Sequence, residues 1–163
     1  MEEINEKTVT QLARLAGFGR TGFCSAEAFA AEREAVARGP EIAERRQLKF
    51  DPMADDSRTR SIAVLIWPYV PATQEEKGCV FVDGYYFASN AAYHAAKKLE
   101  GQMSEAGHFA KANVSYPARE AALRAGMGVI GQNGMLIMPE YGSRFVIILM
   151  ATDIAHDAPD RHE

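Results

Sequence analysis

Gly126-Met127-Gly128-Val129-Ile130-Gly131-Gln132-Asn133-Gly134 is the stretch on which the reading of this sequence turns. Ahead of it, Pro117 to Ala125 predicts a helix. Proline suits a first helical turn, where its missing N–H would be unpaired anyway, and Gly126 suits the left-handed position that ends a helix. Behind it, Met135 to Met138 predicts a strand and Pro139 to Ser143 a turn. Arg144 to Ala151 predicts a second, continuously apolar strand, and the short turn pairs the two strands as an antiparallel hairpin. A dinucleotide-binding loop needs a strand before its glycines and a helix after them; here the order is reversed. No Gly-Lys-Ser/Thr occurs, so a lysine-type phosphate loop is excluded too. Four glycines in nine residues let the backbone approach a ligand closely and take positive φ. Two readings stay open on these residues alone: a backbone cradle for a flat ligand, or a tight helix-to-strand connection.

Outward from that stretch, Ser61 to Trp67 is short, continuous and apolar before Pro68, the pattern of a strand buried on both faces. Asn5 or Thr8 opens a first helix whose apolar face is Val9, Leu12, Ala13 and Ala16, and Gly17 stops it. Gly19 to Cys24 predicts a strand, Ser25 an N-cap, and Ala26 to Arg38 a helix. Glu41 to Arg60 is charged and irregular, with Arg45, Arg46 and Lys49 read as a solvated helix end. Cys79 to Val82 predicts a short strand, and Asp83-Gly84 a turn carrying Tyr85, Tyr86 and Phe87. Ser89 to Met103 predicts a long helix with Ala88, Ala92, Ala95, Leu99 and Met103 on one face. These elements predict an α+β fold, a mostly antiparallel sheet flanked by helices, with the two apolar strands central. One domain spans residues 1–163, its polar end, 154–163, a flexible tail.

The chain has 163 residues and a formal net charge of −4. It carries no basic stripe of the kind that nucleic-acid binding requires, and no apolar run near the roughly 18–20 residues of a membrane span. The N-terminus, Met-Glu-Glu-Ile-Asn-Glu, lacks the basic start and apolar run of a secretory signal, so a cytoplasmic location is the default. The two cysteines, Cys24 and Cys79, are far apart in sequence. They cannot supply the four thiolates of a cubane cluster or the close Cys/His ligands of a structural zinc site, and reduced thiols are expected.

The run from Tyr116 to Phe145 resembles the epoxyqueuosine reductase family, which carries an Arg-Ala-Gly-Leu-Gly-Trp-Ile-Gly-Lys-Asn pattern, a strand and a Glu-Tyr-Gly-Ser turn. Thr152-Asp153 matches the family's closing pair. Ser61 to Tyr69 resembles its strand ending in Pro-Tyr, and Tyr93-His94 its Tyr-His helix. The resemblance implies a cobalamin-binding domain of flavin-nitroreductase-like fold, related to the reductive dehalogenases. In that family a ferredoxin-like domain with two 4Fe–4S clusters delivers electrons, and the substrate is epoxyqueuosine in tRNA. Three departures stand out. The sequence runs only ten residues past Asp153, where the cluster cysteines would begin, so no 4Fe–4S cluster is expected in this chain and an iron–sulfur domain or protein is the implied electron donor. By spacing back from Gly126, the position of the catalytic aspartate holds Ala112. Val129 and Gln132 replace the loop's Trp and Lys, which sets the tRNA substrate in doubt.

The resemblance implies cobalamin binding by Gly126, Gly128, Ile130, Gly131, Gln132, Asn133, Gly142, Ser143 and Arg144, the last able to clamp a phosphate. Tyr116 is the candidate proton donor, an acid only if activated, and otherwise a packing residue. Tyr85 and Tyr86 could line a flat ligand or pack. His94 has no partner histidine at i+4, so metal ligation is not expected. Beside the reductase reading stand a stand-alone corrinoid or flavin carrier without turnover, and a structural relative that only forms a homodimer.

Overall fold

The computed structural model describes residues 4–38, 47–71, 78 and 82–161. The strand expected at Cys79 to Val82 falls largely outside these residues, as do Arg45, Arg46 and the thiol of Cys79.

Helix α1 (Glu6–Leu15) starts at Asn5, whose Oδ1 accepts hydrogen bonds from the Lys7 and Thr8 amides at 3.0 and 3.2 Å; these satisfy two of the donors that every helix start leaves open. Strand β1 (Arg20–Ser25), helix α2 (Ala30–Ala37) and the single turn α3 (Pro52–Asp55) follow. Then come β2 (Ser61–Pro68), the long α4 (Gly84–Glu105), the short β3 (Ala110–Ala112) and α5 (Ala118–Arg124). The chain continues through β4 (Val129–Ile130), β5 (Leu136–Ile137) and β6 (Phe145–Thr152).

The main sheet has the order β1-β2-β6-β3, every pair antiparallel. The two continuously apolar strands are its centre, as the sequence implies, because only a central strand covered on both faces can bury every side chain. Ile62 to Ile66 are all 0% exposed, and their side chains alternate between two cores. Ala63 and Leu65 pack with Val9, Ala92, Leu99, Met103 and Met150 under α1 and α4. Ile62, Val64 and Ile66 pack with Ala121, Ala122, Met127, Met138 and Leu149 on the α5 side. The fold is therefore a three-layer α+β sandwich. At roughly 1.5–3 kcal/mol per large apolar side chain, β2 and β6 anchor both layers. Three alanines in the buried stripe of α4, Ala88, Ala92 and Ala96, let that helix lie close against the sheet.

Several local expectations are corrected. Strand β5 pairs with β4, not with β6; the turn between β5 and β6 closes on a Met138–Gly142 bridge, and β6 leaves it to pair with β2. Ser25 ends β1 rather than capping a helix, and α2 begins only at Ala30. Tyr85, Tyr86 and Phe87 lie in the first turn of α4, capped by Asp83, and are exposed. The segment from Ile154 to Arg161 is bonded to the body. Asp160 accepts from the Ser25 amide at 2.8 Å and from its hydroxyl at 2.6 Å. His156 Nδ1 lies 2.6 Å from Glu6 Oε1, and the Arg161 amide donates to the Arg124 carbonyl.

Candidate functional site

The glycine stretch folds as a hairpin of its own. Val129 lies opposite Ile137 and Ile130 opposite Leu136. The Gly131 amide donates to Met135 O at 2.9 Å, and the Gly134 amide to Gly131 O at 2.8 Å. Asn133 Oδ1 accepts from the Met135 amide at 3.1 Å. A side chain at Gly128 would collide with the Ile137 carbonyl, and one at Gly131 would come within 2.7 Å of Ile137 Cδ1. Gly128 is required by closure of the hairpin, so the tight-connection reading accounts for it; at Gly131 the obstacle is the tip of the partly exposed Ile137 side chain, which can move aside. At Gly126 the space for a side chain is taken by the flexible Arg161. Gly142 differs: its φ is +59° and nothing lies within 4 Å of where a Cβ would be.

The outer surface of the hairpin is apolar and open. Val129 is 60%, Met135 45% and Ile137 39% exposed on its outer face, while Ile130, 42% exposed, lies opposite the buried Leu136 on the other face. A contiguous exposed apolar patch on a small protein marks a ligand or partner surface more often than isolated apolar residues do. Three clefts surround it. Gly126, Gly128, Val129 and Ile137 line one of about 290 Å³ with Arg20. Ile130 and Gly134 border a mainly apolar one of about 660 Å³, between α2, Phe50, Tyr116 and α5. Ser143 borders a third of about 300 Å³, with Tyr85, Arg119 and Phe145. Gly131, Gln132, Asn133, Gly142 and Arg144 are on none of these walls. Gln132, Asn133, Gly142 and Arg144 are exposed. The nine expected cofactor residues thus do not share one cavity.

Tyr116 is buried on the wall of the larger cleft, and its ring stacks on Phe29. Its hydroxyl donates to Asp55 Oδ2 at 3.0 Å. Asp55 also pairs with Lys49, and Lys111 Nζ lies 3.9 Å away. The Lys49 hydrogen bond holds the Asp55 carboxyl below its ordinary range, with the Tyr116 hydroxyl helping. Burial, and then the neighbouring Asp55 carboxylate, push the Tyr116 phenol well above its usual value. This arrangement keeps the proton on Tyr116. Nothing in the sequence signals the pairing, because Asp55 and Tyr116 are 61 positions apart.

Ala112 ends the edge strand β3, and its amide donates to Glu100 Oε2 at 2.7 Å. Asn113, the next residue, has φ +60° and a buried side-chain amide nitrogen without a hydrogen-bond partner among the described residues. Cys24 is buried, and burial followed by the charge of Asp160 raises its thiol to about 12. His94 stacks edge-on against Tyr93 in α4. Among the described residues, no group of three or more His, Cys, Asp or Glu side chains is arranged to hold a metal ion. None of the described helices is long and apolar enough to cross a membrane. At the opposite end of β6, a polar cleft of about 670 Å³ holds a His108–Asp153 pair, 3.1 Å apart, beside Arg58 and Lys111. The sequence carried no readable signal for it.

This layer order and sheet topology recur in solved structures. An epoxyqueuosine reductase solved with an epoxyqueuosine-modified tRNA-Tyr stem loop superposes with a TM-score of 0.75 and 18% identity, over 97% of this chain and 47% of that one. The epoxyqueuosine reductase of Streptococcus thermophilus gives 0.70 and 20%, over 98% of this chain and 49% of that one. A reductive dehalogenase, whose structure suggests a mechanism for B12-dependent dehalogenation, gives 0.67 and 17%, over 100% of this chain and 22% of that one. The chain has the fold that these enzymes share. It spans about half the length of the epoxyqueuosine reductases it matches. No family model matches it, and no curated protein does.

Proposed function

We propose that this chain is the cobalamin-holding domain of an oxidoreductase of the epoxyqueuosine reductase kind, supplied with electrons by an iron–sulfur domain or partner protein. The observation that carries the reading is the superposition of 97% of the chain, at a TM-score of 0.75, on an epoxyqueuosine reductase. The B12-dependent dehalogenase among the matches supports a corrinoid as the group held.

The residues present fit such a group in part. Gly128 does not cradle it with a missing side chain, since the hairpin itself needs that space. The exposed Val129, Met135 and Ile137 offer an apolar bed. Gln132 and Asn133 beside it, and the open turn Gly142-Ser143-Arg144, offer polar groups and a cation. When bound, the corrinoid supplies the reducing centre. The chain's own residues bind it, shield one face from water and orient it. Tyr116, its proton held beside Asp55, shapes the cleft wall in this reading.

The proton inventory favours a second reading, a corrinoid carrier without turnover of its own. Ala112 has no acid to offer, and Tyr116 is held in its protonated form. The substrate that goes with the first reading is an epoxyqueuosine-bearing tRNA. The two are separated by anaerobic assay of the cobalamin-loaded protein with a strong chemical reductant and an epoxyqueuosine-containing stem loop. Queuosine formation supports the enzyme; stoichiometric cobalamin binding without product supports the carrier; absence of cobalamin binding removes both.

A further inference from the structure

Two clefts at the hairpin end meet around Arg119. The larger, about 660 Å³, runs between α2, Phe50 and α5 to Ile130. The smaller, about 300 Å³, runs from Tyr85 past Ser143 to the start of β6. Their walls share Ala118, Arg119 and Gly134. Ala118 contributes a methyl group and Gly134 only backbone, so rotation of the exposed Arg119 side chain is the simplest movement that would join the two spaces. In this conformation Arg119 Nη1 donates to the Gly134 carbonyl. A neutral carbonyl is a weaker partner for a guanidinium than a phosphate, which it grips with two parallel charge-assisted hydrogen bonds.

The remaining wall sharpens what would bind. Among the described residues, Arg119 is the one cation on either wall; Leu48, Phe50, Leu123, Met135 and Phe145 make most of the rest apolar. The two carboxylates of the larger cleft face a different partner. Glu120 Oε1 accepts from Arg124 Nε at 3.3 Å, and Glu32 Oε2 lies 4.0 Å from Arg124 Nη2. Glu32 Oε2 is nonetheless buried with no hydrogen-bond partner among the described residues. An orphaned acceptor of that kind calls for a donor on the ligand, such as an amide or hydroxyl. The trough therefore suits a nucleotide-sized group with an apolar body, a donor and a single anionic centre.

We propose that Arg119 is an anion anchor. It leaves the Gly134 carbonyl and grips the phosphodiester of a corrinoid's nucleotide tail, which lies in the joined trough while the macrocycle rests on the hairpin's apolar face. This rests on the corrinoid reading above, and the test separates the two. Hydroxocobalamin, which has the phosphodiester-linked nucleotide, and hydroxocobinamide, which lacks that nucleotide, are titrated into the full chain and its Arg119 variants, with binding followed by absorbance. Arg119→Ala is expected to weaken hydroxocobalamin on the order of 10-fold or more and to leave hydroxocobinamide unchanged. Arg119→Lys should keep part of the affinity, and the salt dependence seen with hydroxocobalamin should flatten in Arg119→Ala. Circular dichroism checks the fold of each variant, and Arg119→Gln serves if the alanine variant is compromised. Hydroxocobalamin binding that does not depend on Arg119, or an equal loss for both ligands, overturns the anchor and leaves the corrinoid reading standing. If neither ligand binds the parent chain, both fall.

Discussion

The Tyr116 hydroxyl and the Asp55 carboxylate, joined by a 3.0 Å hydrogen bond, tie the loop before α5 to the single turn α3. That bond sets what Tyr116 can do. Tyr116→Phe removes one hydrogen bond to a charged acceptor and leaves Asp55 its lysine partner. The expected cost is about 1–2 kcal/mol in urea unfolding, with hydroxocobalamin affinity unchanged. If the phenol is instead the proton donor of a reaction, activity should fall by about 10²–10⁴ while stability hardly moves.

Stability should fall in acid. The Asp55 carboxyl titrates below its unfolded value, chiefly through Lys49. A depressed carboxylate contributes stability that is present above its unfolded pKa, near 4, and is lost as pH falls through the lower folded value. The thermal midpoint is expected to drop as pH is lowered from 5 to 3, and to drop less in Asp55→Asn. Equal slopes for parent and variant would show that the cluster contributes nothing to acid stability.

Two glycines should respond in opposite ways. Gly128→Val places a side chain against the Ile137 carbonyl and should open the β4–β5 hairpin, seen as faster amide exchange at Val129 and Ile130. Gly142→Ala has room but keeps φ at +59°, so it should cost only about 1–2 kcal/mol and leave the hairpin protected. Protection retained in Gly128→Val would contradict the packing role given to that glycine.

What the sequence revealed and what it hid follow one physical division. Ile62 to Ile66 and Phe145 to Met150 were legible because a strand buried on both faces must be continuously apolar. Asn5 was legible because capping is local. The pairing of β5 was not: Leu136–Ile137 and its true partner Val129–Ile130 are two residues each, too short for any periodicity, and the turn after Met138 looked like a hairpin loop. Ser25 resembled an N-cap because the sequence does not show that its hydroxyl is taken by Asp160, 135 positions away. The glycine stretch was visible as unusual, yet only geometry separates a hairpin's own need for glycine from a ligand's. The Arg119 contact with Gly134 was equally hidden.

Asp160 should hold the C-terminal segment against β1. Asp160→Ala leaves the Ser25 amide and hydroxyl without their acceptor, at a cost of about 1–3 kcal/mol. It also removes the nearby charge that helps keep the Cys24 thiol near 12. Cys24 should therefore resist iodoacetamide at pH 8 in the parent and react faster in Asp160→Ala, as read by peptide mass spectrometry. An unchanged Cys24 alkylation rate would mean that burial alone protects the thiol.

The central claim is that the outer face of the β4–β5 hairpin is a corrinoid bed. Val129→Asp and Ile137→Asp alter exposed side chains on that face and should leave folding intact while placing an uncompensated charge where the macrocycle would lie. The most direct measurement is a hydroxocobalamin titration of the parent and these two variants, followed by the visible spectrum of the bound corrinoid. Saturable one-to-one binding by the parent, weakened at least tenfold in both folded variants, is the expected result. Absence of binding to the parent at high micromolar concentration, or equal binding by all three, would contradict it.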